Sequence, residues 1–146
     1  MRLVVQRVIK AKVTSVTTGE VVGKIGKGLF VLFGVGKNDT QKEADVLADK
    51  LFKLRVMADK NDKMNLSVGD VGGGFMVVSQ FTLYADTSAG NRPSFVKAGE
   101  PAEAKELYEY FVERLKSKGA TVATGNFGDY MKIETELDGP VTILYT

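Results

Sequence analysis

The sequence predicts an α+β fold, with a mostly antiparallel, barrel-like sheet and two main helices. Three observations predict it. Short stretches rich in Val, Ile, Leu and Phe, of strand length, recur from the first residues to the last. Only two stretches place apolar residues at helical spacing. Those two lie far apart, with strands before, between and after them.

Taken in order, residues 2–9 and 12–16 are apolar and β-branched and read as two strands, followed by a turn at Thr17-Thr18-Gly19-Glu20. Strands at 21–25 and 29–35 flank Gly26-Lys27-Gly28, a hairpin signal, so the first 36 residues read as an antiparallel meander. Asn38-Asp39-Thr40 supplies helix N-cap chemistry, and Ala44, Leu47, Leu51 and Leu54 form the apolar stripe of a helix ending near Leu54. A short strand at 55–57 and a polar loop at 59–63 follow. Gly72-Gly73-Gly74 breaks the chain before a long strand at 75–84. Residues 86–99 are irregular. Pro101 opens the second helix, with Ala104, Leu107, Tyr108, Phe111 and Leu115 as its stripe and Gly119 just past its end. Strands at 121–124, 131–136 and 141–145 complete the chain, the last two joined by a turn at 137–142.

No linker, repeat or low-complexity stretch interrupts the 146 residues, so one domain over 1–146 is expected. A chain of this length buries roughly 68–70% of its unfolded surface and needs no staple. It contains no His and no Cys, which excludes disulfides, imidazole or thiolate metal sites, and Ser-His-Asp or Cys-His catalysis. No tight carboxylate cluster suggests a metal, and the glycines at 23–28 lack the spacing of a nucleotide-binding loop. Met1-Arg2 leads straight into Leu3-Val4-Val5-Gln6-Arg7, which is no export signal, and no run approaches the ~18 apolar residues of a membrane span. A cytoplasmic protein with no membrane partner is expected. The net charge of +2 permits nucleic-acid contact without requiring it.

Chemistry must therefore come from backbone groups, hydroxyls, amides, or the substrate itself. The most unusual stretch is Ser79-Gln80-Phe81-Thr82, which places three polar residues, Ser79, Gln80 and Thr82, inside an otherwise apolar strand. Burying an unpartnered amide or hydroxyl costs about 1–3 kcal/mol, so these groups bond to neighbouring strands or belong to a site. Strand alternation puts Ser79 and Phe81 on one face and Gln80 and Thr82 on the other. The second unusual stretch is Leu137-Asp138-Gly139-Pro140-Val141-Thr142. It reads either as an ordinary turn or as a site containing a cis Gly139–Pro140 bond.

Ser79-Gln80-Phe81-Thr82-Leu83 and Gly139-Pro140-Val141-Thr142 resemble the two signatures of the D-aminoacyl-tRNA deacylases. The N-terminal stretch from Met1 to Val8, Ile25-Gly26-Lys27-Gly28-Leu29, Lys63-Met64-Asn65-Leu66-Ser67, Arg92-Pro93-Ser94-Phe95 and Gly125-Asn126-Phe127-Gly128 resemble further blocks of that family, in order and spacing. The resemblance covers essentially the whole chain. It implies a homodimeric, cofactor-independent hydrolase that cleaves the ester joining a D-amino acid, or glycine, to the terminal ribose of tRNA. It implies that the Phe81 N–H stabilises the oxyanion, that Gln80 positions the substrate, and that the RNA 2′-hydroxyl assists the water. Ser79 and Thr82 belong to the same block. A nucleophilic Thr needs a base such as an N-terminal amine, and Thr82 is internal, so a positioning role is expected for it. The resemblance further implies that Gly139 and Pro140 are cis and enter the partner subunit's site, where their carbonyls meet the substrate amino group and L side chains clash. Arg7 and Asn65 would line the RNA end or the loop that shapes the pocket, Phe127 would join the substrate-binding residues, and Arg92 and Lys97 would meet phosphates. One position departs from the family pattern Asn-x-Gly-Pro: Leu137 stands in place of Asn, so the Gly-Pro loop needs another anchor. A nucleic-acid-binding module without hydrolysis and a purely structural dimerisation domain are the competing readings.

Overall fold

The computed structural model describes all residues from Met1 to Thr146. Strand β1 (Arg2–Ser15) is continuous where the sequence predicted two strands. Ile9 and Lys10 both turn outward, so the polar position falls on the solvent side and does not end the strand. Strands β2 (Val21–Ile25) and β3 (Gly28–Gly34) both run antiparallel to β1. Their registers are continuous: Ala11 faces Ile25 and Val8 faces Gly28. Gly26-Lys27 is therefore an interruption within one ribbon, not the hairpin predicted from its glycines. The chain reverses only at 16–20.

Helix α1 (Gln41–Phe52) begins at a capping box, with Thr40 and Glu43 bonding reciprocally, and ends two residues before Leu54. Strands β4 (Met57–Ala58) and β5 (Met64–Leu66) pair into a small separate sheet. β4 starts at the last residue of the strand predicted at 55–57, and β5 was not anticipated. Strand β6 (Gly74–Ser79) follows, then a 3-10 turn over Phe81–Tyr84. Helix α2 (Pro101–Ser117), strand β7 (Thr121–Thr124) and the long strand β8 (Met131–Tyr145) finish the chain.

The main sheet runs β2-β1-β3-β6-β7, with β8 on β1. The pairings of β1 with β2, β3 and β8 are antiparallel, whereas β3–β6 and β6–β7 are parallel. Each parallel pair is joined by a crossover carrying a helix, α1 or α2, which returns the chain to the same end of the sheet. The sheet curls until its two ends nearly meet: a Cβ on Gly23 of β2 would collide with the Thr124 carbonyl of β7. Both faces are consequently buried. Phe75 and Val77 of β6 join Phe33, Leu51, Phe111 and Leu115 in the core beneath the helices. Met76 and Val78 point the other way and pack with Val8, Val13 and Phe30 inside the curl. Burial on both faces explains the unbroken apolar run of β6.

Candidate active site

The polar run does not lie in a buried strand. β6 ends at Ser79, and the Gln80 N–H closes its ladder onto the Phe33 carbonyl at 2.8 Å. The chain then tightens into the 3-10 turn, in which the Leu83 and Ala85 N–H groups donate to the Gln80 and Thr82 carbonyls. Gln80 stands just before the turn, and Phe81 is its first residue. The leading N–H groups of a helical turn have no partner within it, and the Phe81 N–H is one of these. The strict two-face alternation predicted for Gln80 and Thr82 is lost here. The Gln80 side-chain amide instead donates to the Thr82 hydroxyl, so these two polar groups satisfy each other. Ser79 and Gln80 are half-buried, while Phe81 and Thr82 are exposed.

Ser79, Gln80 and Phe81 line an open cleft of about 720 Å³, together with Phe127. That volume suits a small molecule or one end of a larger one. The walls are mainly apolar, and the Phe95 ring meets Phe81 edge-on at 4.9 Å. Phe127 leans on Tyr108, whose hydroxyl donates to the Val77 carbonyl at 2.8 Å, and so ties the wall to the core. Two carboxylates reach the rim, Glu100 and Asp129. The Ser15 and Thr17 hydroxyls, the Asn126 amide and the Tyr130 N–H hold the Asp129 carboxyl below the usual carboxylate range. A carboxylate so fully bonded is committed to holding the 126–130 loop. No group of three or more His, Cys, Asp or Glu is arranged to hold a metal ion. Sequence reasoning passed over Phe95, Tyr130, Met131 and Ile133 as site residues. The signal available was the pair of large side chains at Tyr130 and Ile133, which the fold leaves exposed.

Gly139 and Pro140 lie elsewhere, and neither lines this cleft. Their peptide bond is cis, and Gly139 has a φ of 150°, accessible chiefly to glycine. The segment is not a turn between two strands. β8 runs straight through it, but between the pairs Gln6–Thr142 and Val8–Leu137 it advances five residues against two on β1. The surplus bulges outward and carries Gly139 and Pro140 into solvent.

Arg7 stands opposite this bulge. Its Nη1 donates to the Val56 carbonyl at 2.7 Å, and its Nε lies 3.2 Å from both the Asp138 carbonyl and the Asp138 carboxylate. Arg7 thus ties the Gly-Pro bulge to the segment leading into β4, and supplies the anchor that Leu137 cannot. The Leu137 side chain itself is exposed. Asn65 joins neither group, because its carbonyl and side chain are engaged by Arg55 and Asp59. Lys97 is paired with Asp86 at 2.7 Å, and Arg92 is exposed. Within one chain, the predicted residues therefore form two separate groups: Ser79, Gln80, Phe81 and Phe127 at the cleft with Thr82 bonded to Gln80 beside it, and Gly139 and Pro140 on the bulge with Arg7 opposite.

Comparison with known proteins places the chain as a whole. The family described as D-Tyr-tRNA(Tyr) deacylase matches residues 4–146. A protein of Thermosipho melanesiensis named D-aminoacyl-tRNA deacylase is 52% identical, over 99% of this chain and 95% of its own length. Its namesake in Lacticaseibacillus casei is 54% identical, covering 99% and 97%. Among solved structures, one described as c-Myc DNA Unwinding Element Binding Protein superposes with a TM-score of 0.92 at 39% identity, covering 100% of this chain and 98% of that one. A probable eukaryotic D-amino acid tRNA deacylase superposes with a TM-score of 0.84 at 14% identity, covering 99% and 97%, and speaks for the fold alone. With a match over nearly its whole length and relatives above half identical, the chain belongs to the D-Tyr-tRNA(Tyr) deacylase family.

Proposed function

We propose that the protein hydrolyses the ester of D-aminoacyl-tRNA, releasing the free D-amino acid and tRNA, and that it also accepts glycyl-tRNA. The observation that carries this reading is the pairing of a cleft headed by the Phe81 turn with an exposed Gly139–Pro140 bulge outside it. Each is half of a site. In a homodimer the bulge of one subunit enters the cleft of the other and completes it.

The chemistry follows from what the cleft holds. The Phe81 N–H receives the oxyanion that develops when water adds to the ester carbonyl. Donors fixed in advance at such a position are worth about 2.7–4 kcal/mol in other acyl-transfer enzymes. Gln80, steadied by Thr82, orients the terminal ribose and ester. No imidazole is present in the chain, and the 2′-hydroxyl of the terminal adenosine takes that share of the work by orienting and activating the water. The Gly139 and Pro140 carbonyls from the partner accept hydrogen bonds from the substrate amino group. With the amino group and ester both pinned, an L side chain is directed into backbone, a D side chain points to open space, and glycine has nothing to reject. The enzyme acts on tRNA in the cytoplasm. Modest net charge suits contact with the acceptor end rather than with the whole tRNA body.

The test is to incubate the protein with D-tyrosyl-tRNA and L-tyrosyl-tRNA at matched concentrations and follow ester loss. Loss of D with L spared is expected. Replacing the terminal 2′-hydroxyl by hydrogen is expected to abolish the reaction. A second reading, a nucleic-acid-binding module without hydrolysis, is favoured by the relative described as a DNA unwinding element binding protein. Binding of both substrates without ester loss would select it.

A further inference from the structure

The 3-10 turn is held at both ends, and the second hold lies outside the cleft. At its start, the Gln80 N–H is fixed on β3 through the Phe33 carbonyl. At its end, the last carbonyls of a helical turn have no partner within it. The Arg2 Nη1 donates to the Leu83 carbonyl at 2.7 Å, while the same guanidinium stacks over the Tyr84 ring at 4.5 Å from its centre. The Tyr84 hydroxyl donates to the Asp39 carboxylate at 3.3 Å. The same carboxylate oxygen accepts from the Gly36 N–H at 2.6 Å and lies 2.5 Å from the Met1 amino group. The seat beneath is tight. A Cβ on Gly36 would lie 2.6 Å from the Tyr84 ring, and one on Gly34 would lie 3.0 Å from the Gln80 carbonyl oxygen. The turn therefore rests directly on the end of β3, with Arg2 across its last residues.

We propose that Arg2 is a positioning residue for the reaction, and that the Arg2–Tyr84–Asp39 clamp sets where the Phe81 N–H points. The proposal rests on the oxyanion role given to Phe81 above. Arg2 has no place among the cleft-lining residues, so it acts through the turn. A turn of four residues passes a displacement at Leu83 to Phe81 within a single set of internal hydrogen bonds. Small misplacements of a transition-state donor are costly, with about 1 Å enough for a hundredfold loss.

The experiment compares wild type with Arg2→Met, Arg2→Lys and Tyr84→Phe, all assayed well below their melting temperatures. Arg2→Met keeps the aliphatic stem over Tyr84 and loses the bond to Leu83. It is expected to lower kcat for D-tyrosyl-tRNA by roughly tenfold to a hundredfold with KM unchanged, because a donor used only in the transition state is misplaced. Arg2→Lys keeps a cation and one donor and is expected to recover part of the rate. Tyr84→Phe tests the hydroxyl hold separately if Arg2→Met folds poorly, with a smaller fall in kcat expected. The Phe81 amide resonance, followed by NMR, is expected to shift in Arg2→Met and return towards wild type in Arg2→Lys. Wild-type kcat with an unmoved Phe81 resonance in Arg2→Met and Tyr84→Phe overturns the clamp, as does a change confined to KM. If wild type itself spares D-tyrosyl-tRNA, the reading of the reaction fails, and the Phe81 resonance alone decides whether Arg2 positions the turn.

Discussion

Arg7→Met deletes a guanidinium that holds the Gly-Pro bulge while keeping most of the side chain's packing. Its strongest contact is the 2.7 Å bond from Nη1 to the Val56 carbonyl. Arg7 is largely buried, and hydrogen bonds from a charged donor in such settings contribute about 1.5–3 kcal/mol. The Nε side is weaker. One N–H is shared between the Asp138 carbonyl and carboxylate, each at 3.2 Å, and the Asp138 side chain is 41% exposed. Solvent screening limits that ion pair to about 1 kcal/mol or less. The expected cost of Arg7→Met is therefore about 2–3 kcal/mol in all, with most of it independent of the Asp138 carboxylate. Urea unfolding of Arg7→Met, Asp138→Asn and the double variant, at one fixed protein concentration, measures both quantities. A coupling energy below about 1 kcal/mol is expected. A loss under about 0.5 kcal/mol for Arg7→Met, or a coupling above about 2 kcal/mol, would refute the assignment of the anchor to Val56 and the backbone.

Thr82→Ala frees the Gln80 amide but leaves the backbone of the turn in place, so deacylation should fall by less than the roughly 10²–10⁴-fold that follows loss of a proton-transfer group. Complete loss in a folded protein that still binds substrate, with an acyl-enzyme trapped on wild type, would make Thr82 the nucleophile. Burial pushes the Tyr84 and Tyr108 hydroxyls up from 10.0 to about 12, and the Asp39 carboxylate adds to the effect at Tyr84. The folded state favours their neutral forms, so this stability is complete below about pH 10 and is lost as the pH rises towards about 12. Melting temperatures should fall through that window, and Tyr84→Phe should soften the fall. A flat profile would contradict the burial argument.

The parts legible in the sequence were those governed by local pattern. The Thr40 cap, the Pro101 start and the stripe from Ala104 to Leu115 fell where periodicity put them. Gly26-Lys27-Gly28 misled because glycine permits a reversal without demanding one, and the pairing of both flanking strands with β1 carries the chain straight on. The parallel pairings of β6 are set by helical crossovers, which no single strand records. Residues 79–84 read as strand because their composition is β-prone, yet the ladder on β3 closes with the Gln80 N–H and leaves Phe81 to Tyr84 free to tighten into a turn. Most instructive is Arg7. Its residue type is ordinary in a strand, and its role emerges only because β8 bulges opposite it and Val56 passes behind. Gly139 and Pro140 were conspicuous as residues, but their separation from the cleft is a property of the folded chain.

That separation calls for two chains at one site, and a crystal structure with a non-hydrolysable 3′-D-aminoacyl-amino adenosine tests it. The ligand carbonyl oxygen is expected within hydrogen-bond reach of the Phe81 N–H of one subunit, and its amino group against the Gly139 and Pro140 carbonyls of the other. A ligand bound wholly by one chain, or one held away from Phe81, would contradict it.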